Sequence, residues 1–120
     1  MGKKIELEAG EQIVMEEKAN IDWQGEGMKE AQYTLGVMTV TNKRVAFRDD
    51  SADTNVNLDF YMEEIAGVSL QTTMLVMKAL VISLKEDKYK AGKDLVFRVG
   101  KAMGKPGAPE VKAAIEKQMK

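Results

Sequence analysis

The chain has 120 residues, with 18 Lys+Arg against 19 Asp+Glu and neither Cys nor His; at this size one hydrophobic core forms without disulfides or a structural metal. Lacking both residue types, it has no thiol nucleophile, no zinc-ribbon or iron–sulfur ligand set, and neither the commonest general base nor the commonest metal ligand. A net charge of −1 supplies no global field for nucleic acid, and 44% hydrophobic with 31% charged residues is too apolar for disorder and too charged for a membrane-embedded chain.

The N-terminus, Met1-Gly2-Lys3-Lys4-Ile5-Glu6, is charged and has no apolar stretch of the signal-peptide kind. No apolar run approaches the roughly 18 residues of a spanning helix, so the expected location is the cytoplasm. From Glu11 to Val99 the apolar residues recur mostly at period two. Glu11 to Trp23 carries Ile13-Val14-Met15 and then Ala19, Ile21 and Trp23 in alternation, which predicts one long or bulged strand. Gln32 to Thr41 is rich in β-branched residues, with Tyr33, Leu35 and Val37 on one face. Asn42-Lys43 offers a two-residue turn, and Arg44-Val45-Ala46-Phe47-Arg48 returns with Val45 and Phe47 inward and both arginines outward. Val56–Tyr61, Ile65–Leu70, Ala79–Leu84 and Leu95–Val99 complete about seven short strands. In the last of these, Leu95, Phe97 and Val99 share a face.

The period changes after residue 99. Residues 100–108 read as a loop, and Pro109 and Glu110 suit the first turn of a helix. Val111, Ala114, Ile115 and Met119 then recur at helical spacing over about 109–119. The reading is a single mainly β domain over 1–120, an antiparallel bent sheet or barrel whose open end the amphipathic helix plugs.

Gly36-Val37-Met38-Thr39-Val40-Thr41-Asn42-Lys43-Arg44-Val45-Ala46-Phe47 resembles the hairpin of GRAM domains and related bacterial pleckstrin-homology-like (PH-like) domains. Gly10-Glu11 resembles their Gly-Glu start, and Glu63-Glu64-Ile65-Ala66-Gly67-Val68 their acidic–Ile–x–x–Val segment. The resemblance spans nearly the whole chain. It implies a seven-stranded barrel capped by a C-terminal helix and a non-catalytic binding module. It also implies that the first/second, third/fourth and sixth/seventh strand loops gather at the open end.

Of those loops, Gln24–Glu30 has one Lys between two Glu, and Asp49–Asn55 is acidic, so a phosphate headgroup meets repulsion on two sides. The sixth/seventh loop reads differently. Lys85, Lys88, Lys90 and Lys93 surround Tyr89 and form a candidate contact with lipid or another anion, or else a solvated turn. Asp49, Ser51, Asp53, Asn55 and Asn57 alternate as calcium ligands do. Thr54, however, stands where an EF-hand loop needs Gly and Phe60 where it needs Glu, so no metal is expected.

Nine methionines are many for this length. Met74-Leu75-Val76-Met77 is either core or an adaptable partner-binding surface. No nucleophile elbow or phosphate loop occurs, and Glu16-Glu17 and Glu63-Glu64 point to opposite faces if they lie in strands. The expected function is non-catalytic recognition: an interaction module that binds a protein segment or self-associates. The alternative is a peripheral adaptor on an anionic membrane. No cofactor, nucleic acid or small-molecule substrate is expected.

Overall fold

The structure, a computed structural model, describes residues 5–25, 27–49, 56–73, 77–99 and 107–119, with backbone alone at 72–73 and 77–78. Its strands are β1 (Ile13–Trp23), β2 (Gln32–Thr41), β3 (Arg44–Asp49), β4 (Asn57–Tyr61), β5 (Ile65–Thr73), β6 (Met77–Leu84) and β7 (Asp94–Val99). A 3-10 turn, Met62–Glu64, links β4 to β5, and one helix, α1 (Ala108–Gln118), closes the order. All strand pairs are antiparallel. The seven form one sheet in the order β4-β3-β2-β1-β7-β6-β5, curled into a half-barrel.

Local chemistry accounts for the curl. β1 is long and bulged between Ile13 and Met15, which raises the local twist at its exposed start. β2 crosses β3 so closely that a Cβ at Gly36 would lie 2.1 Å from the Arg48 carbonyl oxygen, and only glycine fits there. The inward face of β2 is Thr34, Gly36, Met38 and Val40. Tyr33 and Leu35, 62% and 44% exposed, therefore belong to the outer face together with Val37.

Phe47, Phe60 and Phe97 meet at the centre with ring centroids 5.4 and 6.2 Å apart, all fully buried. Truncating any one to Ala removes about 3–5 kcal/mol. α1 begins with Pro109 in its first turn, and the Glu110 carboxylate accepts the Gly107 N–H at 3.0 Å. Ala108, Val111 and Ile115 are buried where the helix packs against β5, β6, β2 and β1. The helix thus fills one mouth of the half-barrel, as its spacing predicts.

The hairpin differs from expectation at one arginine. Arg48 is half-buried on the outer face, but Arg44 is only 5% exposed. The segment ahead of β1 folds over it. Arg44 donates to both carboxylate oxygens of buried Glu11 (2.8 and 3.1 Å), to the Glu6 carbonyl (2.7 Å) and to Asp59 (2.9 Å). Period-two patterning assigns a side chain to a face of the sheet, but it does not say what lies on that face.

Candidate functional site

The Gly10-Glu11 and Thr41-Asn42-Lys43-Arg44 motifs, far apart in sequence, form one clasp. The Thr41 hydroxyl accepts the Lys43 and Arg44 N–H groups (3.0 and 2.9 Å) and donates to Glu11 at 2.7 Å. Asn42 accepts the Gln12 N–H at 2.7 Å and donates to the Gly10 carbonyl at 3.1 Å. Gly10 has φ of +76°, which turns the chain back into β1. Burial pushes the Glu11 carboxyl upward. The Arg44 hydrogen bond, the Glu8 N–H, the Thr41 hydroxyl and the Arg44 charge outweigh it and hold the group at about 2, below its usual 4.5. These hydrogen bonds tie the segment ahead of β1 to the β2/β3 turn and so secure the fold.

The lysine loop between β6 and β7 divides into two sets. Lys88 and Tyr89 turn inward onto β4. The Tyr89 hydroxyl accepts the Asp59 N–H at 2.8 Å and donates to the Asp59 carbonyl at 3.2 Å. Lys88 donates to the same carbonyl at 2.7 Å and to Glu64 at 2.9 Å, with its ammonium 5.5 Å from the Tyr61 and Tyr89 ring centroids. The Tyr89 ring packs edge-on against Trp23 and Phe60, each at 5.9 Å. Burial would raise the Glu64 carboxyl, but Lys88 and the Tyr61 N–H hold it below the carboxylate range.

Lys85, Lys90 and Lys93 are exposed, as is Lys88 along the β4 edge. Lys90 sits at φ +59°, in a loop folded by Asp87, which accepts the Ala91 and Gly92 N–H groups. Lys85 and Lys88 also line a recess of about 240 Å³ together with Glu63, Glu64 and Glu86. Carboxylates are therefore interleaved with the lysines.

Of the partner-binding candidates, Met74, Leu75 and Val76 lie outside the described residues. Met77 opens β6 by its backbone alone. Most of the loop from Asp49 to Asn57 is likewise outside. Among the described residues, no three acidic side chains cluster as a metal site, and no helix is long and apolar enough to cross a membrane.

A groove absent from the sequence reading lies where β1 meets β7. Among the described residues these strands pair at Ala19–Val99 and Asn20–Arg98. Beyond that point Ile21–Trp23 and Asp94–Val96 part around a groove of about 750 Å³. β2 covers the other side of β1 and β6 the other side of β7, so two strand edges face the opening. Trp23, Met28, Leu95 and Val96 supply apolar walls, while Lys90 and Arg98 stand at the rim.

The β1/β2 turn is fixed by Met28 N–H to the Gly25 carbonyl (3.2 Å) and Gln24 to the Met28 carbonyl (3.1 Å), with Gly27 at φ +81°. Arg98 spans the seam to Asn20 at 2.6 Å and Asp22 at 3.1 Å. The sequence signals were Gly25-x-Gly27 and the lone Trp23. Neither tells which strand lies opposite.

No protein-family profile matches the chain, and no curated protein does. Among solved structures, the chain is similar to the Vps36 N-terminal PH domain (TM-score 0.62, 17% identity), covering 94% of this chain and 82% of that one. It is also similar to the hSac2 domain from the human phosphoinositide phosphatase Sac2 (TM-score 0.55, 14% identity), with 93% and 70% covered. At these identities the likeness is one of architecture: the chain has a PH-like fold.

Proposed function

We propose that this chain is a non-catalytic interaction module of the cytoplasm, of the GRAM type its hairpin resembles, that takes an extended segment of a partner protein into the β1/β7 groove. The observation that carries the reading is the seam itself. Beyond the described pairs Ala19–Val99 and Asn20–Arg98 the two strands part around a groove with apolar walls. No described strand pairs with their facing edges along Ile21–Trp23 and Asp94–Val96, where an added strand would bond. Alternate side chains of such a segment would meet Trp23 and Leu95 on the core face and Val96 on the outer face.

Trp23 is the only tryptophan, so its emission reports the groove directly. Peptides selected from a random-sequence display library against the whole chain are expected to shift Trp23 emission. They should lose binding to Val96→Arg, which places a charge on the groove wall. A library that yields no binder, or binders that leave Trp23 emission unchanged and tolerate Val96→Arg, would contradict the reading.

A second reading has its own observation. Lys85, Lys90 and Lys93 are exposed around the turn and are suited to an anionic lipid surface, with Lys88 and Tyr89 behind them. Sedimentation with phosphatidylserine vesicles tests it. Salt-sensitive binding lost in Lys90→Glu/Lys93→Glu supports a peripheral membrane adaptor, and no binding at low salt ends that reading. The acidic recess beside Lys85 is why the protein segment ranks first.

A further inference from the structure

The outer edge of β5 carries a different surface. β5 is one of the two terminal strands, and its outer side pairs with no described strand. Among the described residues the Ile65 N–H bonds the Met62 carbonyl of the preceding turn and the strand is bulged between Ile65 and Gly67, but no turn or loop backbone hydrogen bond reaches Gly67–Thr73. Its sequence, Ile65-Ala66-Gly67-Val68-Ser69-Leu70-Gln71-Thr72-Thr73, contains no charge and no proline. Natural edges are normally blunted by such residues, since an unprotected one invites another strand.

The side chains along this edge are complementary to themselves. Val68 and Leu70 pair with Ile82 and Leu80 of β6, both fully buried, so they share the core face. They pack against the margin of the core, on a strand that α1 also covers, and remain half-buried. Gly67, Ser69 and Gln71 alternate onto the outer face, and a Cβ at Gly67 would meet nothing within 4 Å.

We infer that β5 pairs antiparallel with β5 of a second copy of this chain, about a two-fold axis through Ser69. In that register Val68 faces Leu70 of the other copy and Leu70 faces its Val68, so each core stripe continues into the next. On the outer face Ser69 meets Ser69, and Gly67 leaves room for Gln71. No like charges oppose each other anywhere along the strand. The inference is independent of the β1/β7 groove, which lies across the sheet beyond β6 and β7.

A charge swap at the axis tests it. Ser69 is exposed, so Ser69→Lys and Ser69→Glu should both fold, as circular dichroism will verify. Sedimentation velocity should show a wild-type dimer growing with concentration, loss of the dimer in each variant, and its return in their equimolar mixture. Only a residue that faces its own copy behaves this way. A wild-type chain that stays monomeric at every concentration overturns the inference and leaves the edge to a segment of another protein. Variants that dimerise like wild type also overturn it, since the contact would then lie elsewhere.

Discussion

At one end of the sheet, β4 carries Asp59, whose outward N–H and C=O are both taken up by Tyr89 and Lys88. At the other end, β5 runs nine residues from Ile65 to Thr73 without a charge. Both are terminal strands of one seven-stranded sheet, so the same backbone chemistry is exposed at each. One edge is closed by a lysine and a tyrosine delivered from a distant loop, while along Gly67–Gln71 of the other no described segment takes up the outward backbone. Edge protection is thus specific to a place in this molecule, and the unprotected place is where strand addition is available.

The largest effect is expected where the guarded edge is anchored. Asp59 is held by Arg44 at 2.9 Å and Arg48 at 3.1 Å, and Arg44 in turn by buried Glu11. Arg44→Met leaves the Glu11 carboxylate buried without its counter-ion and should cost about 3–5 kcal/mol in urea unfolding. A loss below about 1 kcal/mol would mean that the clasp does not support this side of the sheet.

Acid attacks the same anchor. The unfolded Glu11 carboxyl takes up a proton near its ordinary 4.5, while the folded one stays ionised down to about 2. Stability is therefore fully present above pH 4.5 and declines as pH falls toward 2, by about 3 kcal/mol from this group. Glu64, also lowered, adds to the decline in the same direction. Glu11→Gln should flatten the acid limb of the stability profile, and an unchanged limb would remove Glu11 as its source.

A smaller effect falls on the guard itself. Tyr89→Phe keeps the ring against Trp23 and Phe60 but deletes the hydroxyl at Asp59, at a cost of about 1–2 kcal/mol. The Asp59 amide should then exchange faster with solvent, while amides in the centre of the sheet should not change. Unaltered exchange at Asp59 would show that the hydroxyl does not protect this edge.

The smallest change sharpens the contrast from the open side. Gly67→Thr puts a β-branched side chain into empty space on β5 and should stabilise the chain by up to about 1 kcal/mol in thermal unfolding. Destabilisation there would mean that the outer face is already covered.

The strands were legible from their alternation and the helix from its 3.6-residue spacing, since both periods are fixed by backbone geometry. The Thr41-Asn42-Lys43-Arg44 turn was legible as a turn. That its arginine is buried was not, because the cover comes from residues about 33 to 38 positions earlier. The lysine loop shows the same limit. Its composition announced a basic turn, but Lys88 and Tyr89 are spent on the β4 edge through contacts about 29 residues apart.

The groove was invisible for a related reason. β1 and β7 are separated by most of the chain, and nothing local to either strand sets how far they stay paired. Alternation identifies the strands, whereas the protection of an edge or the opening of a seam depends on which distant segments arrive there.

Amide hydrogen exchange followed by NMR over a dilution series tests the contrast between the two edges most directly. The account predicts that the Asp59 amide is protected at every concentration, since Tyr89 of the same chain accepts it. It predicts that the outward-facing amides between Gly67 and Gln71 are unprotected in dilute solution and gain protection as concentration rises. Protection of those β5 amides at all concentrations, or rapid exchange at Asp59, would contradict it.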